Sequence, residues 1–176
     1  MPLVPVDELP ADLRAQWDAT QRDGLRDFLR LMAHAAEPFR LFNAAYASAR
    51  FDNHLGARLT ELVRIAVAQT TRCPVCMAGR HPGAIAEGLT EELVAEIGGE
   101  RTAMTEAESA AVTFAQQFAT DHLSITEDDK AALRTYFDPQ QVVELILLSV
   151  FCLVGRFSML AGLQEQSCPV GTVPAQ

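Results

Sequence analysis

Helix start signals recur along this sequence, while no stretch shows the alternation of apolar and polar residues that is typical of a β-strand. Threonine or aspartate caps and first-turn prolines precede several apolar segments whose residues recur at three- and four-residue spacing. The predicted helices cover about 11–34 (as one or two helices), 38–46 and beyond, 57–71, 74–87, and segments that begin near 90, 105, 126 and 139, with the last reaching about 163. The sequence therefore predicts an all-α fold, a compact bundle of about 6–8 helices with short connections.

Length and charge narrow the class of protein further. The chain has 176 residues, of which 49% are hydrophobic, which suits one domain with a real core. A formal net charge of −9 argues against a nucleic-acid or anionic-membrane partner. The first residues have no basic segment followed by an apolar one, so no signal peptide is predicted. The longest apolar run, residues 145–155, is shorter than a bilayer crossing and is interpreted as a core helix. Together these features predict a cytoplasmic protein with no membrane partner.

The segment RCPVCMAGRH, residues 72–81, carries the candidate chemistry. Cys73 and Cys76 have the CxxC spacing, and Pro74 predicts a helix that starts directly after Cys73. Free N–H groups at such a start stabilise a thiolate, and the first turn brings the two sulfur atoms together. The local sequence therefore favours redox chemistry, in which one thiol attacks and the other resolves the product.

Two other interpretations of the cysteine pair stay open. A structural zinc site needs four ligands, so it would have to recruit His81 and Cys168 or another chain. A reduced, inert pair is the second alternative. A permanent disulfide framework is disfavoured because no secretory signal is predicted. Cys152 lies in the apolar run and is interpreted as a small buried residue, whereas Cys168 falls in a C-terminal tail.

The stretch ELVRIAVAQTTRCPVCMAGRHPGAIAEGLTEELVAEI, which begins at Glu61, resembles the carboxymuconolactone decarboxylase superfamily, specifically its alkylhydroperoxidase-like branch. The resemblance is best over residues 55–97. Glu61, Cys73 and Cys76 match that branch in type and spacing. The resemblance implies that Cys76 attacks a peroxide, that Cys73 resolves it as a disulfide, and that Glu61 belongs to a proton relay.

The resemblance also implies an organisation and partners. It extends over a core of about 38–163 within a single domain, 1–176, leaving an N-terminal helical extension, 1–37, and a C-terminal tail, 164–176. It implies a homo-oligomer, trimeric or hexameric, with a dimer as the fallback. The substrate would be a small hydroperoxide or disulfide, and the electron donor a lipoyl-bearing or thioredoxin-like protein. No cofactor, whether metal, haem or flavin, is implied.

The resemblance also implies a relay histidine four residues after the second cysteine, and the sequence departs from the branch at this position. Four residues after Cys76 stands Arg80, and His81 comes one place later. On a continuous helix Arg80 would share the face of Cys76 and His81 would not. A guanidinium can stabilise a thiolate by its charge, but it stays protonated and passes no protons. Pro82, however, disfavours helix at His81 and predicts that the helix breaks there.

A turn near residues 71–73 would make the helices 57–71 and 74–87 antiparallel. This central helical hairpin would carry the CxxC pair and set Glu61 opposite residues 81–83. The leading functional hypothesis is a thiol-disulfide oxidoreductase or peroxidase of the alkylhydroperoxidase-like type. The alternatives are a non-redox enzyme of the same fold and a non-enzymatic oligomeric redox sensor.

Overall fold

The protein is described by a computed structural model over residues 1–163, and residues 164–176, with the predicted tail and Cys168, lie outside the described residues. Within that range the chain is helical and contains no strand. Seven helices have nine or more residues: α1 (Ala11–Ala19), α2 (Asp23–Met32), α3 (Ala36–Phe51), α4 (Ala57–Thr70), α8 (Glu106–Thr120), α9 (Glu127–Tyr136) and α10 (Pro139–Cys152). Four are shorter: α5 (Pro74–Met77), α6 (Pro82–Ala86), α7 (Glu91–Ala95) and α11 (Gly155–Leu160). The expected all-α bundle is confirmed.

Side-chain caps form where the sequence predicts them. Thr105, Thr126 and Asp138 each accept a hydrogen bond from the third residue of the helix that follows, and each of these helices has a complete capping box. Thr90 caps α7 in the same way, with its side chain accepting from Leu93 N–H. These caps depend only on residues three apart, which is why the sequence alone locates them.

Helix α4 lies at the centre of the bundle. Every residue from 59 to 68 is buried, including two charged residues, Glu61 and Arg64. α4 packs against α8, α10, α5 and α6. A helix buried on all sides has no solvated face for charged groups, so Glu61 and Arg64 must be satisfied inside the protein.

The predicted helix over 74–87 is wrong in extent, because α5 ends at Met77 and α6 begins at Pro82. Pro82 cannot continue a helix from the preceding turn, and His81 before it is extended. The carbonyls of Cys76 and Gly79, which the break leaves without helical partners, accept hydrogen bonds from Arg64. The hairpin itself forms as expected, since α6 packs against α4.

The last predicted helix, to about 163, is also interrupted. α10 ends at Cys152, and α11 begins at Gly155 after a turn. A Cβ atom at Gly155 would lie 3.0 Å from Cys73 Cβ and 3.1 Å from Cys76 Sγ. Those distances are tighter than nine in ten real Cβ contacts, so a side chain here would force α11 or the cysteine pair to shift by a few tenths of an ångström.

One stretch of the described residues, Pro139–Leu160, is apolar and long enough to cross a membrane by length and composition. It joins α10 and α11 and is therefore longer than the apolar run of 145–155, which by itself is too short to cross a bilayer. It also contains Glu144, whose carboxylate accepts the backbone N–H of His54. The core helix of a protein without a membrane span passes the same test, so this stretch is weak evidence for a membrane.

Candidate functional site

Cys73 and Cys76 lie at the start of α5, with their Sγ atoms at disulfide-bonding distance and their Cα atoms 5.3 Å apart. Cys73 is the N-cap residue, and its sulfur accepts a hydrogen bond from Cys76 N–H at 3.2 Å. Cys73 is 0% exposed and packs against Leu31 and Leu163. Cys76 is half-buried and lines a cavity. Cys76, and not Cys73, is therefore the cysteine that lines the cavity.

The cavity has a volume of about 300 Å³, at the lower end of the range typical of small-molecule sites. It brings Cys76 together with Glu61, Arg80 and His81, four of the five residues singled out from the sequence. Its walls are largely apolar and aromatic, formed by residues of α2, α3 and the α10–α11 turn: Leu25, Phe28, Tyr46, Phe51 and Val154. Among the residues of the described range, no group of three or more His, Cys, Asp or Glu side chains is arranged to hold a metal ion.

Glu61 is 1% exposed, and its carboxylate is fully engaged. Arg64 binds both of its oxygens, at 2.8 Å from Nε and 2.7 Å from Nη2. Arg50, from α3, adds a bond of 3.2 Å, and the backbone N–H of His81 adds one of 3.0 Å. Burial by itself raises the pKa of Glu61, but these hydrogen bonds and the two positive charges outweigh it and hold the pKa below its usual value. Glu61 is therefore ionised at neutral pH.

Arg64 connects this carboxylate to the cysteine pair. Besides Glu61, it donates hydrogen bonds to the carbonyl oxygens of Cys76 and Gly79. Burial by itself lowers the pKa of Arg64. The carboxylate of Glu61 has the larger, opposite effect and raises the pKa above its usual value, so the guanidinium stays charged. The cation thus holds the backbone of the α5–α6 break against α4, with one edge toward Glu61 and another toward the CxxC segment.

Arg80 and His81 do not have the positions that one continuous helix from Cys76 would give them. The guanidinium of Arg80 forms a two-point ion pair with Glu91, at 2.9 and 3.0 Å, and donates to Met77 O at 2.6 Å. His81 lines the same cavity as Cys76, with its ring 5.2 Å from the ring of Phe51. The five-residue helical step that would direct His81 away from Cys76 therefore does not apply, because no helix connects the two residues.

The structure adds residues that the sequence analysis did not assign to the site. Arg64 is one of them, and its three-residue spacing from Glu61 on α4 is the available sequence signal. Arg50 and Tyr46 carry no such signal, because they come from α3 and reach the site only in the folded chain. The hydroxyl of Tyr46 lies 3.8 Å from the sulfur of Cys152.

Cys152 is buried, as expected. Burial raises the pKa of its thiol and also that of the Tyr46 hydroxyl, so both groups stay neutral at neutral pH. A neutral, enclosed thiol is a weak nucleophile. Cys152 therefore contributes packing next to the cavity rather than a reactive thiolate.

Comparisons with known proteins agree with this architecture. Residues 36–117 match the Carboxymuconolactone decarboxylase family. The crystal structure of an alkylhydroperoxidase AhpD core, an uncharacterized peroxidase-related protein from Ralstonia eutropha JMP134, has a TM-score of 0.75 and 17% identity, covering 94% of this chain and 91% of that one. The crystal structure of an uncharacterized peroxidase-related protein from Silicibacter sp. TM1040 has a TM-score of 0.75 and 15% identity, and the match covers 93% of this chain and 90% of that one. No curated protein sequence matches the chain. At these identities, the structural likeness concerns the fold.

Proposed function

This chain belongs to the carboxymuconolactone decarboxylase superfamily, and on that premise we propose that it is a thiol peroxidase of the alkylhydroperoxidase-like type. Cys76 attacks the hydroperoxide, and Cys73 resolves the product as a disulfide. The observation that carries the proposal is the unequal exposure of a bonded pair: Cys73 is enclosed, while Cys76 opens onto a cavity with largely apolar walls. A small organic hydroperoxide matches a cavity of this size and lining.

The proposed reaction proceeds in three balanced steps. The thiolate of Cys76 attacks the terminal peroxide oxygen, the O–O bond breaks, and the departing alkoxide takes a proton to become an alcohol, leaving Cys76 as a sulfenic acid. The thiol of Cys73 then displaces water from that sulfenic acid and forms the disulfide. A dithiol donor, lipoyl-bearing or thioredoxin-like, finally reduces the disulfide by two thiol–disulfide exchanges and is itself oxidised.

Electrostatics supports Cys76 as the nucleophile. Arg64 and Arg50 share one carboxylate, that of Glu61, so the side chains next to Cys76 carry an excess of positive charge. A nearby positive charge favours the thiolate over the thiol. Glu61 is ionised and can accept a proton but has none to give in the resting state. Proton delivery to the alkoxide therefore falls to His81, which lines the cavity, or to solvent.

Turnover of an organic hydroperoxide with a dithiol donor tests the proposal. Cys76→Ser should abolish turnover, whereas Cys73→Ser should leave a Cys76 sulfenic acid that a dimedone probe traps. Cys152→Ala is the matched control and should retain turnover, because its thiol is neutral and enclosed. Mass spectrometry of the oxidised wild type should show the loss of two hydrogens in the peptide that contains both Cys73 and Cys76.

The same measurements separate the alternatives. A reversible disulfide without hydroperoxide turnover would favour the redox sensor. A pair that stays reduced under conditions that oxidise free dithiols would exclude the peroxidase and leave the non-redox enzyme of the same fold. Cysteine variants with wild-type turnover would overturn the assignment of Cys76 and Cys73.

A further inference from the structure

Arg50 is the arginine of the cavity whose hydrogen-bonding capacity the protein uses least. Its side chain is 22% exposed and makes one hydrogen bond, from Nη2 to Glu61. Its Nε atom is buried and has no hydrogen-bond partner in the described residues. Arg64, in contrast, donates from all three of its nitrogen atoms to Glu61, Cys76 and Gly79. Buried donors are normally satisfied, so the unused donors of Arg50 point to an acceptor that the described residues do not supply.

The charges around the cavity define that acceptor. Of the described residues that line it, Glu61 is the only carboxylate, and Arg64 already binds both of its oxygens. Tyr46 is neutral, because burial raises its pKa. Arg50 is therefore a partly buried cation that shares its one carboxylate, Glu61, with Arg64. A partly buried cation in this situation favours an anionic ligand, since burial strengthens hydrogen bonds between charged groups.

The walls next to Arg50 define the rest of the ligand. Its guanidinium carbon lies 4.9 Å from the centre of the Phe51 ring and 5.6 Å from that of Tyr46. Leu25 and Phe28 continue the apolar surface. These same four residues also line a second cavity of about 260 Å³ that adjoins the first and has further aromatic walls. An aromatic or branched aliphatic group would bury its surface here.

Building on the proposed peroxidase, we propose that its substrates are organic hydroperoxides that carry a carboxylate on an apolar body. Arg50 binds the carboxylate through its guanidinium, the aromatic walls hold the body, and the peroxide group lies at Cys76 in the same cavity. A guanidinium matches a carboxylate through two parallel hydrogen bonds, which fixes the orientation of the substrate as well as its affinity. Hydrogen peroxide has neither the anion nor the apolar group and gains nothing from this site.

A pair of unreactive probes tests the inference by calorimetry on the oxidised full-length protein. The probes are para-isopropylbenzoate and its neutral counterpart of similar shape, para-isopropylbenzamide. The carboxylate should bind about tenfold to a hundredfold more tightly, the range expected for hydrogen bonds between charged groups. Arg50→Gln should remove this preference, whereas Arg50→Lys should retain part of it. Arg40→Gln is the matched control, since Arg40 lies on α3 but lines neither cavity.

Equal affinities of the two probes for the wild type would overturn the inference, and this comparison needs no variant to fold. An undiminished preference in Arg50→Gln would likewise exclude Arg50 as the anion site. Because binding to the oxidised protein requires no turnover, a failed peroxidase assay leaves this result interpretable on its own. Conversely, equal turnover of cumene hydroperoxide and of its para-carboxylated derivative would show an active peroxidase that lacks the proposed selectivity.

Discussion

Arg64 and Arg80 are both near the cysteine pair, but they differ in what neutralises them. Arg80 has a carboxylate of its own, Glu91, bound at two points near the protein surface. Arg64 is buried, shares Glu61 with Arg50, and binds the carbonyl of Cys76 directly. At the scale of single residues, we therefore expect Arg64 to favour the Cys76 thiolate more than Arg80 does.

Alkylation of the reduced protein at neutral pH tests this difference. Arg64→Gln should slow the reaction of Cys76 with iodoacetamide about tenfold or more, because a neighbouring cation favours the reactive thiolate. Arg80→Ala should change the rate by less than about twofold, since removing a cation paired with Glu91 alters the local charge little. A larger effect of Arg80→Ala than of Arg64→Gln would show that Arg80 acts on the thiol despite its ion pair.

At the scale of elements, the cysteine pair lies between the start of α5 and the start of α11. Gly155 is the first residue of α11, and its missing side chain lets that helix contact both cysteines. The chain before α11 has to turn after Cys152 to reach this position. The interruption of the predicted last helix thus positions α11 against the CxxC segment.

A single methyl group at Gly155 should disturb this contact. Gly155→Ala should lower the free energy of unfolding of the oxidised protein by about 1–3 kcal/mol, the usual cost of overpacking. Gly98→Ala provides the matched control, because a Cβ atom there meets nothing within 4 Å, and it should change stability by less than about 1 kcal/mol. Urea unfolding measures both. Equal stabilities of the two variants would mean that α11 shifts away without cost.

For the whole molecule, the notable surface is one face of α10. The helix buries Leu145, Leu148 and Cys152 in the core, while its other side exposes a run of apolar residues at three- and four-residue spacing: Val143, Ile146, Leu147 and Val150. Ile146 also lines an adjoining groove of about 800 Å³ between α8, α9 and α10. A continuous apolar surface of this kind is unusual on a monomer.

We expect this face to be buried in a homo-oligomer, trimeric or hexameric, with a dimer as the fallback. Leu147→Glu should reduce the oligomer to single chains, because a carboxylate there would have to be buried without a partner. Light scattering at micromolar concentrations measures the mass. Leu41→Glu is the matched control, since Leu41 is an exposed leucine on α3 outside this face. A wild type with the mass of one chain would contradict the prediction, as would an unaffected Leu147→Glu oligomer.

By itself, the sequence determined the all-α fold, the starts and caps of most long helices, and the CxxC pair. Each of these depends on residues a few positions apart: Thr105 with Glu108, Asp138 with Gln141, and Cys73 with Cys76. The carboxylate of Glu61 opposite His81 was also predictable, because a short turn between two helices leaves only one antiparallel arrangement. The starts of these helices and the pairing across this hairpin follow from local rules.

Only the tertiary structure decided which groups surround Cys76. Arg50 reaches Glu61 from α3, and Gly155 reaches the cysteines from the far end of the chain. Arg80 forms an ion pair with Glu91, a contact that its spacing from Cys76 does not predict. Such contacts join segments that are distant in sequence, and their formation depends on how whole helices pack. A local pattern contains no information about that packing, so the electrostatics of the site emerges only when α3, α4, α5 and α11 meet.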